Sequence, residues 1–213
     1  MTSTQEKKQY SFKILVIGDP ATGKTSIIRR FVHNVFTANY KATIGVDFAL
    51  KRIDVDDEVQ VYLQLWDISG QDRYGVMNRV YYKDAHGAVV VMDVSRERTK
   101  EGACRWKNDL DQKVLLADGS QVPAVLVINK CDLDVNIDEK NLKELEEENR
   151  FIGVVRTSAK ENYGIDEAIL TVLRRVLENE KKGRYEASFP NSEGNVRIGD
   201  DKRQQKKKYG GCC

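Results

Sequence analysis

Charge of one sign is in short supply here. Thirty-five Lys and Arg stand against thirty-three Asp and Glu, for a formal net charge of +2. That excludes the strongly basic character with which nucleic-acid-binding domains collect phosphate backbones, so no nucleic-acid partner is expected. Long apolar runs are also missing. None approaches the ~18 residues that mark a bilayer-crossing helix, and no secretory leader opens the sequence. The expectation is a chain neither secreted nor membrane-spanning by itself. Cysteine is sparse, with four in all. Cys104 and Cys131 stand alone in regular segments and read as reduced intracellular thiols. Cys212 and Cys213 are the last two residues. What is present is 40% hydrophobic residues, enough for a core, and 32% charged residues on 213 in total. This suits one α/β domain with an appendage.

The strongest single signal is Gly18-Asp19-Pro20-Ala21-Thr22-Gly23-Lys24-Thr25, which fits G-x4-G-K-[ST]. It follows the apolar run Phe12–Ile17 and precedes a segment at helical spacing. Strand, glycine turn and helix are the context that a phosphate-binding loop requires. Glycines let the backbone curl, and the helix start adds unpaired N–H groups and positive potential. The expected phosphate contacts are Ala21, Thr22, Gly23, Lys24, Thr25 and Ser26. Lys24 reaches the outer phosphates and the Thr25 hydroxyl suits Mg²⁺. The plainer alternative is a glycine turn that merely starts a helix.

Residues 1–9 are polar and read as disordered. Strands are expected at Phe12–Ile17, Val46–Val55, Val59–Trp66, Ala88–Met92, Pro123–Ile128 and Phe151–Val155, the second and third forming a hairpin around Asp56-Asp57-Glu58. Helices are expected near Lys24–Val35, Thr99–Leu115, Asp138–Asn149 and Ile165–Lys181. Phe36–Ile44 reads as a loop able to order around a ligand, and a polar stretch runs up to Lys83. This alternation predicts an α/β fold: a mostly parallel, doubly wound, six-stranded sheet with helices on both faces. Ligands in such sheets bind beyond the carboxyl ends of the strands, where the glycine loop, Asp67, Asn129 and Ser158 all fall.

Each of those positions has a chemical reading. Asp67 suits a direct or water-mediated Mg²⁺ contact beside Thr25, because a hard cation takes oxygen ligands. The Gly70 N–H suits a γ-phosphate, and Gln71 suits orienting an attacking water, although a lone Gln on a polar loop is as well read as surface filler. In Asn129-Lys130-x-Asp132, the Asp132 carboxylate matches the paired N1–H and amine donors of guanine, which adenine lacks. The Lys130 stem can lie along the base. Ser158-Ala159-Lys160 can offer a backbone N–H to guanine O6. Asn-Lys-Cys-Asp by itself also reads as a helix start with Asp as cap.

Taken together, G18DPATGKT, Thr43, D67ISGQ, N129KCD and T157SAK resemble the motifs of Rab-type small GTPases. The resemblance covers about residues 10–181 and the extreme C-terminus. I44GVDF, L63QLW and Y81YKDA are similar to Rab signatures, and A42TIGVDFALK, V80YYKDAHGA and K107NDLDQKV look most like the Rabs that serve lysosome-related organelles. The resemblance implies a P-loop small GTPase fold over residues 10–182 and a GTP hydrolase using Mg²⁺. It implies that Phe36 stacks on guanine, Tyr40 covers the phosphates, and Thr43 ligates Mg²⁺ and the γ-phosphate in the GTP state. Residues 36–48 and 68–82 would be the two switches, read by effectors through exposed Phe48, Trp66 and Tyr81. Pro20, Ser69 and Asp72 depart from the usual pattern. They bear on the rate of hydrolysis, and the intact Gln71 predicts slow but real intrinsic hydrolysis, with no in-chain arginine evidently placed to assist.

Residues 183–213 hold seven Lys and Arg against four Asp and Glu and read as a flexible hypervariable tail. Gly210-Gly211-Cys212-Cys213 resembles a double geranylgeranylation site rather than a C-a-a-X box. Two lipid chains anchor stably where one does not, and Lys202, Arg203, Lys206, Lys207 and Lys208 suit an anionic leaflet. The resemblance implies an exchange factor, a GTPase-activating protein, GTP-state effectors, a prenylation escort and a GDP-dissociation inhibitor as partners. It places the chain on the cytoplasmic side of intracellular membranes, with a cytosolic pool. The leading expectation is a membrane-anchored switch in vesicle traffic. The alternatives are a GTP-loaded scaffold that hydrolyses poorly and, against the Asn-Lys-x-Asp signal, an ATP-using P-loop kinase.

Overall fold

Strands whose two faces are both covered read as near-continuous apolar runs, and two strands of this chain meet that condition. The computed structural model describes residues 7–39, 41–71, 78–133, 135 and 138–185. Its elements are β1 (Lys8–Ile17), α1 (Lys24–His33), β2 (Val46–Asp54), β3 (Val59–Ile68), α2 (Asn78–Tyr82), β4 (Gly87–Asp93), α3 (Arg98–Lys113), β5 (Ala124–Asn129), α4 (Glu139–Glu148), β6 (Val154–Arg156) and α5 (Ile165–Lys181). They build one six-stranded sheet in the order β2-β3-β1-β4-β5-β6. Only the β2–β3 pair is antiparallel, with Phe48 opposite Trp66. Every residue of β4 and β5 is buried, as are the last four residues of β1, Ile14–Ile17.

Because side chains alternate across a strand, β1 feeds two cores. Phe12, Ile14 and Val16 pack with Ile27 and Phe31 of α1 and with Ile169, Val172 and Val176 of α5. Leu15 and Ile17 turn the other way, towards Trp106 and Leu110 of α3, Leu142 of α4 and Tyr82 of α2. Burying an aliphatic side chain contributes roughly 1.5–3 kcal/mol. Packing of this kind, more than propensity, holds short helices.

The expected architecture is therefore present, and α5 has the expected bounds. Two expectations are corrected. Residues 1–9 were expected to be disordered, yet β1 already begins at Lys8, and Lys7 Nζ pairs with Asp54 Oδ1 at 3.2 Å. The hairpin supplied a free edge to which a polar segment could pair through its backbone, so side-chain polarity misled. The domain was also expected to end at 182, but Tyr185 packs on Phe12 and His86 and its hydroxyl donates to the His86 carbonyl at 2.8 Å. The polar stretch before Lys83 contains the five-residue α2, too short for a period to show. No helix among the described residues is long and apolar enough to cross a membrane. Tyr40, Asp72, most of the tail and both terminal cysteines lie outside the described residues. Cys104 and Cys131 are free thiols.

Candidate functional site

The carboxyl ends of β1, β3, β5 and β6 open onto a cavity of about 390 Å³. Its wall includes Ala21, Gly23, Lys24, Thr25 and Ser26 from the glycine loop and the start of α1. It also takes Phe36 and Thr43 from the following loop, Gly70 and Gln71 after β3, Asn129, Lys130 and Asp132 after β5, and Ala159 and Lys160 after β6. Thr22, Asp67 and Ser158 stand behind that wall and support it.

The glycine loop is tightly specified. Gly23 sits at φ 99°, and a Cβ there would fall 2.2 Å from Asn129 Nδ2, so both backbone and space require glycine. Lys24 is almost wholly buried, its Nζ donating to the carbonyls of Gly18 at 2.9 Å and Asp19 at 3.1 Å. Burial pushes its pKa down to about 8, against the pull of the Asp67 and Asp19 carboxylates. The ammonium is thus still mostly charged at neutral pH.

Beside it lies a knot of oxygens. Thr25 Oγ1 donates to Asp67 Oδ2 at 2.5 Å and meets Thr43 Oγ1 at 2.9 Å, while Thr43 Oγ1 donates to Asp67 Oδ2 at 3.3 Å. The other carboxylate oxygen, Asp67 Oδ1, is buried without a hydrogen-bond partner among the described residues, and burial raises the Asp67 pKa. An orphaned buried carboxylate oxygen next to two hydroxyls is a hard-oxygen set of the kind Mg²⁺ takes. Thr25, Thr43 and Asp67, expected as metal residues, are the ones brought together.

Two loops lean on each other at the phosphate end. Ser69 N–H donates to the Gly45 carbonyl at 2.9 Å, and Ser69 Oγ accepts from Gln71 N–H at 3.3 Å. A Cβ on Gly70 would lie 2.4 Å from Pro20 N, so the Gly70 backbone sits directly on the glycine loop.

At the other end, Asn129 does something its motif did not reveal. It is buried, its Nδ2 donates to the Thr22 carbonyl at 2.9 Å, and its Oδ1 accepts from Thr157 Oγ1 at 3.1 Å and Ala159 N–H at 3.2 Å. One side chain ties the phosphate loop to the Thr157–Lys160 loop. Lys130 adopts φ 66° and its Nζ pairs with Asp93 Oδ2 at 2.7 Å. Asp132 Oδ1 accepts from Ser158 Oγ at 2.7 Å, which orients the carboxylate.

A family model described as the Ras family matches residues 13–178. The chain belongs to the Ras family. Its relatives place it among the Rab-type small GTPases of that family. It is 47% identical over 211 residues to Ras-related protein Rab-32 of Sus scrofa, covering 98% of this chain and 91% of that one. It is 46% identical over 211 residues to Ras-related protein Rab-32A of Dictyostelium discoideum, covering 96% and 94%. With human Ras-related protein Rab-7L1 it shares 43% over 173 residues, covering 81% and 85%. This Rab-type protein is therefore a GTP hydrolase with the family's α/β fold.

Some of its residues were not legible beforehand. Arg96 donates from Nη2 to the Pro20 carbonyl at 3.0 Å and from Nε to Asp93 Oδ2 at 2.8 Å. Trp106 Nε1 donates to Asp19 Oδ1 at 3.1 Å. Both fasten the outer rim of the glycine loop to α3 and its approach. Nothing in the spacing of an isolated Arg or Trp announces a contact across 76 or 87 positions. The expected effector aromatics need a correction. Phe48 is 71% exposed, but Trp66 and Tyr81 are half-buried against the second core, and Lys13 Nζ stands 3.8 Å from the Trp66 ring centre.

Proposed function

We propose that this Rab-type protein is a membrane-anchored switch in vesicle traffic, cycling between GDP and GTP forms to recruit effectors. The observation that carries the reading is the closure of Thr43 onto Thr25 and Asp67, because it couples the first switch loop to the metal and phosphate end of the cavity. Asp132 accepts the guanine N1–H and amine, the Lys130 stem and Phe36 flank the base, and the Ser158–Lys160 loop supplies the donor for O6. Residues 21–26 cradle the phosphates, with Lys24 on the outer ones. Mg²⁺, held by Thr25, Thr43 and the Asp67 side, would neutralise phosphate charge. Gly70 N–H bonds the γ-phosphate, and Gln71 orients the water that attacks it. Loss of the γ-phosphate then frees Thr43 and Gly70, loosening residues 36–48 and 68–82. Tyr40 is assigned to cover the phosphates on resemblance alone.

Single-turnover phosphate release tests the chemistry: Gln71→Leu should be at least tenfold slower than the wild type. Equal rates would remove Gln71 from the mechanism. A GTPase-activating protein would supply an arginine in trans, worth ~10³–10⁵ in rate. An exchange factor, a prenylation escort and a GDP-dissociation inhibitor complete the cycle. Lipidation of Cys212 and Cys213 would hold the chain on the cytoplasmic face of a membrane, lysosome-related organelles being the compartment its sequence resemblance favours. Intact mass from a eukaryotic host should show two geranylgeranyl groups, and an unmodified terminus would end the anchor claim.

A further inference from the structure

Resting on the reading of the cavity as a guanine-nucleotide site, we propose that Arg30 is a positioning residue for base specificity. Arg30 lies on α1 and does not line the cavity. Its guanidinium reaches round the back of the base-end loop. Nε donates to the Ala159 carbonyl at 2.9 Å, and Nη2 to the Lys160 carbonyl at 3.0 Å. Nη1 donates to the Asn34 carbonyl at 3.0 Å, at the left-handed residue that closes α1. Asn162 Nδ2 adds a second link to Asn34 Oδ1 at 3.4 Å. A planar fork of fixed donors is what can hold two successive carbonyls and a helix end at once.

The consequence follows from peptide geometry. In a trans peptide the carbonyl and the next N–H point in opposite directions. With the carbonyls of Ala159 and Lys160 drawn to Arg30, the loop cannot turn either carbonyl into the cavity. The neighbouring amides are also fixed: Ala159 N–H meets Asn129 Oδ1 at 3.2 Å, and Glu161 N–H meets Ser158 Oγ at 3.0 Å. The same Ser158 hydroxyl donates to Asp132, so the arrangement extends to the carboxylate that reads the other base edge. With the Ala159 and Glu161 amides engaged, the Lys160 N–H, opposite the Ala159 carbonyl that Arg30 holds, is the donor left to the cavity side of the loop. A peptide flip would replace a donor by an acceptor at the position facing ring atom 6. Guanine carries an oxygen there and would be repelled, whereas adenine carries an amine and would be accepted. Arg30 blocks that flip from outside the cavity, and thereby sets the sign of recognition at that atom.

The test uses the full chain and competition of GTP and ATP against a fluorescent GDP, in Mg²⁺, for wild type, Arg30→Met and Arg30→Lys. The wild type should prefer GTP strongly, and no guanine preference there would sink the underlying reading rather than this inference. Arg30→Met should narrow the GTP-to-ATP preference at least tenfold. Arg30→Lys, with one donor centre in place of a fork, should fall between the two. Should the methionine variant not fold, the lysine variant carries the comparison by itself. Equal weakening of both nucleotides in the variants, leaving the ratio at its wild-type value, would show a purely structural role and overturn the proposal.

Discussion

Replacing Gly70 by alanine isolates the contact between the two loops at the phosphate end. The backbone at Gly70 is not in the left-handed region, so alanine meets no torsional obstacle there. The obstacle is steric. The new Cβ would lie 2.4 Å from Pro20 N, 2.6 Å from Asp19 C and 2.8 Å from Pro20 Cα. All three are backbone atoms of a loop fastened by Trp106 and Arg96, so they cannot swing aside as a side-chain tip can. Restoring ordinary van der Waals separation moves the 69–71 segment away by about 1 Å. A hydrogen bond from Gly70 N–H stretched by that much is no longer one. A bond to a charged phosphate is worth about 1.5–3 kcal/mol, so GTP affinity should fall roughly 10- to 150-fold while GDP affinity is nearly unchanged. Gln71 moves with the segment, and a displacement of about 1 Å can cost 10²-fold in rate. Dissociation rates of labelled GDP and of a non-hydrolysable GTP analogue, with single-turnover phosphate release, measure both effects. An unchanged GTP-to-GDP affinity ratio would refute the placement of Gly70 at the γ-phosphate.

Two further outcomes concern stability. Burial pushes the His86 pKa down to about 4 from 6.5, and its Nδ1 accepts from Lys13 N–H at 3.1 Å. The unfolded chain therefore takes up a proton below pH 6.5 that the folded chain refuses until about pH 4. Stability is lost as pH falls through that window, by about 2 kcal/mol between pH 6.5 and 5. His86→Asn, whose oxygen can still accept from Lys13, should flatten this fall in urea unfolding at fixed GDP. A variant with the wild-type pH dependence would rule the histidine out as its source. Lys107 is fully buried on α3 and pairs with Asp111 at 2.5 Å. Lys107→Met should destabilise by roughly 3 kcal/mol because it strands a carboxylate. Adding Asp111→Leu should recover most of the loss, and a double variant no better than the single would contradict this.

Most of the architecture was readable because β4 and β5 are near-continuous apolar runs, β3 alternates, and α5 has apolar residues on one stripe. The site was readable where its chemistry needs a fixed spacing, as in Gly18–Thr25 and Asn129–Asp132. What escaped depends on tertiary context. The start of β1 at Lys8 pairs with β3 through backbone, so its side chains carry no signal. Tyr185 folds back because the ends of β1 and β4 offer it an aromatic niche. Asn129 read as part of a nucleotide-binding motif, and its side-chain hydrogen bonds to Thr22, Thr157 and Ala159 add a bracing role that only the spatial meeting of those loops defines. Phe48, Trp66 and Tyr81 share a chemical type but differ in burial, which no local pattern separates.

The position of Asn129 has a mechanical corollary. Because a single amide bridges the glycine loop and the Thr157–Lys160 loop, the two halves of the pocket share one keystone. A partner that prises either loop outward by an ångström or two takes hydrogen bonds from the other as well, so grip on the whole nucleotide would slacken together. Eviction could then begin at the rim, without any foreign side chain entering the cavity.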